Sequence, residues 1–164
     1  MVATDIDERP RPGETPRVCA ERLAEAKAAA VGDAPDGFVL AADTVVGLGR
    51  RILDKPADAA SAAACLRTLS GRRHRVITAI VLRAPDGTLR RRTCESVVAF
   101  ARLEAGQVAA YVASGEWAGK AGGYAIQGRA ACFVRFLSGS HSNVVGLPLF
   151  ETAQLLRGAG WRLP

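Results

Sequence analysis

The turn at Pro85-Asp86-Gly87, set between two runs rich in apolar residues, constrains this chain most. Proline presets one φ angle, aspartate bonds its own backbone, and glycine takes positive φ at no steric cost. Val76 to Leu82 before the turn and Thr93 to Leu103 after it both read as strands, which makes them an antiparallel hairpin. Around that hairpin, helix and strand signals alternate. Thr15-Pro16 starts a helix, with a capping hydroxyl before a proline at the first helical position. Cys19, Leu23, Ala26 and Ala30 follow at helical spacing up to Gly32. Phe38 to Val46 reads as a buried strand holding one charge, Asp43. Asp58 caps a second helix with Ala62, Cys65, Leu66 and Leu69 on its core face, and Ser70-Gly71 stops it. A third helix is predicted near Glu104 to Ser114 and a strand near Cys132 to Leu137. A short apolar stretch follows at Val144-Val145, and a last helix opens at Pro148. This order predicts an α/β fold, a mixed twisted sheet with helices on its faces. With no repeat or linker, residues 1–164 are expected to form one domain.

The chain is 49% hydrophobic, enough for a proper core. It has no apolar run long enough to cross a bilayer, and Met1 to Glu14 is unlike a signal peptide. A cytoplasmic location with no membrane partner is the expectation. Cys19, Cys65, Cys94 and Cys132 are far apart, and His74 and His141 are not spaced to join them, so a zinc site is not expected. Cys19 and Cys65 read as buried thiols. The net charge of +6 includes clusters at Arg72, Arg73 and Arg75 and at Arg90 to Arg92. With 5% aromatic residues and none interleaved, these clusters make a poor stacking platform for nucleic acid. The same charge suits a polyanionic small molecule.

Lys120-Ala-Gly-Gly-Tyr-Ala-Ile-Gln127-Gly128 is the segment richest in chemistry. It offers a charge for phosphate, glycines for close backbone approach and an amide that both donates and accepts. It reads either as a pocket for a phosphorylated, base-bearing small molecule or as a glycine-rich turn before a strand. Asp43 stands in an apolar strand, where an unpaired carboxylate costs several kcal/mol. It is therefore a candidate metal ligand or general base, with Thr44 as its polar neighbour. Pro56 fixes the backbone after Lys55 and could aim that ammonium toward Asp43; an exposed turn lysine is the plainer reading. By local pattern alone, Glu8 in its acidic cluster is solvated and Lys27, off the apolar stripe of its helix, is exposed. Gly115 to Lys120 is one residue short of a phosphate loop. Ser140 and His141, read as neighbours in a strand, would point to opposite faces and make a poor nucleophile and base.

Taken in order, five stretches resemble the Maf family of nucleoside triphosphate pyrophosphatases. They are Ala42-Asp43-Thr44-Val45-Val46, Leu53-Asp-Lys55-Pro56, Leu69-Ser-Gly-Arg-Arg-His74-Arg-Val-Ile-Thr78, Lys120 to Gly128, and Val144-Val-Gly-Leu-Pro148. The resemblance implies two lobes around a cleft, like inosine-triphosphate pyrophosphatases. It implies hydrolysis between the α- and β-phosphates to a nucleoside monophosphate and pyrophosphate, a divalent cation (Mg2+ or Mn2+) and a homodimer. Carried over, Asp43 is metal ligand or base and Glu8 a second acid for metal or water. Lys55 acts with them, and Lys27 and Lys120 pair with phosphate. Gln127 sits where base selection and phosphate geometry meet, while Thr44 and Thr78 lie on the substrate side as hydrogen-bonding supports. Ala-Asp-Thr-Val with Ala-Ile-Gln-Gly resembles the branch acting on dTTP and UTP, in nucleotide-pool house-cleaning. The family's opening strand and Ser-x-Ser-Pro-Arg-Arg turn have no counterpart, and Met1 falls where its second strand would begin. Either the true start lies upstream of Met1 or this is a shortened form, and these 164 residues alone are expected to be less stable and much less active than a full-length member. The alternative is a catalytically impaired nucleotide-binding or regulatory member linked to septum formation.

Overall fold

The structure, a computed structural model, describes residues 5–32 and 37–162. The hairpin forms as its turn chemistry requires. β3 (Arg73–Arg83) and β4 (Leu89–Phe100) pair in antiparallel register from Arg73 opposite Ala99 to Arg83 opposite Leu89. At the turn the Thr88 amide donates to Asp86 Oδ1 and the Gly87 amide to Ala84 O, each at 2.9 Å. With β1 (Val39–Leu48), β2 (Arg51–Leu53) and β5 (Val134–Ser138) the sheet has five strands in the order β2-β1-β3-β4-β5.

A sheet flanked by helices is thus borne out, but all four pairings among the described residues are antiparallel rather than mixed. The connectivity explains the difference. The crossover through α2 (Ala59–Leu69) joins β2 to β3, two strands of the same direction, yet β1 lies between them. No two neighbours therefore run parallel, although the sequence alternates helix and strand.

The two faces follow the period-2 alternation of β1 and β3. On one, Ala20, Leu23, Ala24 and Ala28 of α1 (Pro16–Ala30) pack on Ala41, Val45, Ile77, Ala79 and Val81. On the other, Val46, Val76, Val98 and Phe100 meet Leu66 and Leu69 of α2, Val108 and Tyr111 of α3 (Ala105–Ala113), Tyr124 and Ile126. α5 (Leu149–Gly158) lays Leu155 over Ile80 and Leu82. The expected caps are present: Thr15 accepts from the Val18 amide, and Asp58 and Ser61 close a reciprocal capping box.

Three further expectations change, and one feature is new. Ser140 and His141 are not in a strand: Ser140 caps the short helix α4 (His141–Val145), accepting from the Asn143 amide at 3.2 Å. Cys19 is buried but Cys65 only half-buried, and all four thiols are free. The strand expected to begin near Met1 lies partly outside the described residues, and Asp5 to Arg9 form no strand. The two 3-10 turns, Ala121–Gly123 and Arg129–Phe133, were not anticipated. Among the described residues no helix is long and apolar enough to cross a membrane.

Candidate active site

Asp43 stands mid-way along β1, 7% exposed, facing α1. A carboxylate there needs a partner, and Lys27 supplies it. The lysine leaves the apolar stripe of α1 only to bend over the sheet; its side chain is 20% exposed, not free in solvent. The same ammonium lies 2.7 Å from Glu8 Oε1. The other oxygen of Glu8, Oε2, accepts from Lys55 at 2.5 Å. Two acids and two lysines therefore form one chain, Asp43–Lys27–Glu8–Lys55. Glu8 is held rather than solvated, and Lys55, half-exposed after β2, points to Glu8 instead of Asp43.

The two acids differ in charge behaviour. Burial pushes the Asp43 carboxyl up, and its bond from Lys27 offsets only part of that. Hydrogen bonds from Lys27 and then Lys55 pull Glu8 below the usual carboxylate range. Burial opposes the Lys27 ammonium, but bonds to Asp43 and Glu8 outweigh it and hold its pKa above the ordinary lysine value. Environments that push two carboxyl groups apart suit one to take a proton and the other to stay ionised.

A cavity of about 220 Å³ opens beside this chain, with Lys27, Asp43, Thr44 and Lys55 on one side and Lys120 and Gln127, both exposed, on another. Val144, Val145 and Gly146 complete the lining, with Gly146 next to Thr44. The loop bearing Lys120 and Gln127 is pinned at several points. The Gly122 amide donates to Asp54 O at 3.2 Å and the Ala125 amide to the Tyr111 hydroxyl at 3.0 Å, while Tyr124 Oη lies 2.8 Å from His74 Nε2. Gly122 has φ 66°, and a Cβ there would meet Val46 at 3.0 Å. Gly122→Ala is expected to cost about 1–2 kcal/mol from the left-handed backbone alone. The added methyl also presses on Val46 behind the loop that carries Lys120, so turnover is expected to fall as well. A thermal melt and a turnover assay on the variant check both effects.

Thr78 is fully buried and does not line the cavity; its hydroxyl lies 2.9 Å from that of Thr44 and donates to Asn143 O at 3.1 Å. Asn143, fully buried, was not anticipated. Its Nδ2 donates to Val76 O at 3.1 Å and to Ser96 Oγ at 3.0 Å, which ties α4 to β3 and β4. The signal that could have found it is its place three residues after the capping Ser140. Among the described residues, no group of three or more His, Cys, Asp or Glu side chains is placed to hold a metal. Glu8 and Asp43 are the two carboxylates that converge on the Lys27 ammonium.

An all-antiparallel sheet flanked by helices, with an acid–lysine chain beside a cavity of about 220 Å³, defines an α/β protein with a charged cleft. The family model described as Maf-like protein matches residues 1–159, and the chain belongs to the Maf family. It is similar to the dTTP/UTP pyrophosphatase of Rhodospirillum rubrum, 62% identical over 159 residues, which cover 96% of this chain and 76% of that one. The dTTP/UTP pyrophosphatase of Paramagnetospirillum magneticum is 62% identical over 157 residues, 95% of this chain and 83% of that one. That of Novosphingobium aromaticivorans is 58% identical over 161 residues, 98% and 80%.

Proposed function

We propose that this chain is a nucleoside triphosphate pyrophosphatase that hydrolyses dTTP and UTP to the nucleoside monophosphate and pyrophosphate. The observation that carries the reading is the chain of Glu8, Lys27, Asp43 and Lys55, of which Lys27, Asp43 and Lys55 line a cavity shared with Lys120 and Gln127. The names and high identity of the relatives support the pyrimidine substrates. In this reading the lysines take triphosphate oxygens as their partners. Asp43, its pKa raised by burial, accepts the proton of the attacking water. The bond between the α-phosphorus and the bridging oxygen breaks, and pyrophosphate leaves with that electron pair. Gln127 meets the base at the rim.

Glu8 and Asp43 fit a magnesium or manganese ion, because magnesium is commonly held by one or two carboxylates with substrate phosphates completing the shell. When bound, such an ion neutralises charge on the phosphate oxygens. A homodimeric, cytoplasmic form belongs to the same reading, on the family resemblance. The test is pyrophosphate release from dTTP, UTP, CTP and 7-methyl-GTP with either metal. The expected result is metal-dependent release favouring dTTP and UTP. A folded chain that binds these nucleotides and releases no pyrophosphate overturns the reading.

A further inference from the structure

Thr44 and Thr78 are cross-strand partners on β1 and β3, with hydroxyl oxygens 2.9 Å apart. Thr78 Oγ1 also lies 3.1 Å from Asn143 O, and Thr44 Oγ1 3.4 Å from Gly146 O. A carbonyl only accepts, and each hydroxyl carries a single proton. Three contacts therefore share two protons. Sending both to the carbonyls would leave two oxygens facing each other at 2.9 Å with no proton between them. One proton must lie between the threonines, and only one carbonyl receives the other.

The geometry decides which. Either assignment satisfies the buried Thr78 donor, so the distances decide, and Asn143 O at 3.1 Å is the nearer of the two carbonyls to a hydroxyl. The Gly146 contact at 3.4 Å is well beyond ordinary O–H···O lengths. Thr78 thus donates to Asn143 O, and Thr44 donates to Thr78. We infer that Thr44 meets the cavity as a hydrogen-bond acceptor, its proton committed inward by Thr78 and Asn143. Thr78 and Asn143 are positioning residues, since both act through Thr44.

Thr44 Oγ1 and Gly146 O then form a pair of acceptors on the cavity wall. Such a pair repels phosphate oxygens and receives an O–H group. Thr44 points to the face of β1 opposite Asp43, yet both residues line the one cavity, so the O–H it receives there is that of a water or of the ribose hydroxyl. The ligand's identity rests on the proposed nucleotide activity; the direction of the hydrogen bonds does not.

Neutron diffraction from crystals exchanged into D2O reads that direction without reference to activity. The expected deuteron on Thr78 points to Asn143 O and that on Thr44 to Thr78. A Thr44 deuteron aimed at Gly146 O overturns the inference. Kinetics then test its use. Thr78→Val releases the Thr44 proton, and kcat/KM for dTTP should fall about tenfold, the equivalent of about 1.4 kcal/mol. Thr78→Ser, which keeps the hydroxyl, should restore most of the loss. A ribose contact predicts that the penalty appears with dTTP and vanishes with 2′,3′-dideoxy-TTP. A water contact predicts a lower kcat with both and an unchanged KM. A folded Thr78→Val protein with wild-type kcat and KM, or a serine variant no better than the valine one, overturns the role. A wild-type chain without turnover sinks the nucleotide reading alone, because the neutron result still decides the polarity.

Discussion

Asp43→Asn is expected to lower pyrophosphate release from dTTP by about 10²–10⁴-fold, the usual contribution of a positioned general base. The substitution keeps the shape of the side chain and removes its basicity. Any rise in KM reports the second role of Asp43, holding the ion whose shell the substrate phosphates complete, because Lys27 keeps Glu8 as a partner and Lys55 is untouched. The melting temperature should not fall with the activity. Burial already disfavours the charged form of Asp43, and a neutral amide escapes that penalty. Steady-state kinetics beside a thermal melt separate the two effects. A variant keeping more than a tenth of wild-type turnover would remove Asp43 as the base.

The second large effect is on stability in mild acid. His74 is 2% exposed among Phe100 and Tyr124, and burial lowers its pKa from 6.5 to about 4. The unfolded chain therefore binds a proton between these values that the folded chain refuses. Stability from the neutral ring is complete above pH 6.5 and is lost as pH falls toward 4. The whole shift corresponds to roughly 3 kcal/mol. Urea denaturation at pH 7, 5.5 and 4.5 should show the decline. His74→Gln, which cannot titrate, should flatten it across the upper part of that window. Glu14, held at about 2 by Arg22, contributes lower down: its stabilisation is present above pH 4.5 and disappears as pH falls through 2. An equal slope in wild type and His74→Gln between pH 6.5 and 5 would refute the assignment.

Local chemistry made much of this fold legible. The Pro85-Asp86-Gly87 turn, the Thr15 and Asp58 caps and the Ser70-Gly71 stop all act within a few residues, and each sits where its pattern places it. The all-antiparallel pairing was hidden, because strand order depends on which edge β1 fills and not on the alternation of elements. The site divides the same way. Asp43 is visible as a charge in an apolar strand. Lys27 is not visible from its helix pattern, since its partner Asp43 lies 16 residues away; Lys55 and Glu8 are 47 apart. Family resemblance pointed to those residues where periodicity could not. Asn143 escaped both, since its role depends on β3 and β4 lying side by side beneath α4.

The alternating chain of Asp43, Lys27, Glu8 and Lys55 is electrically balanced before any ligand arrives. A triphosphate that claims the two ammonium groups leaves two carboxylates without counter-charges, Asp43 buried and Glu8 partly exposed. Their hold on protons or a cation must then tighten, and by reciprocity whatever satisfies them tightens the hold on the triphosphate. Anion binding and positive-charge uptake are thus a single linked equilibrium, written into the pairing of four side chains.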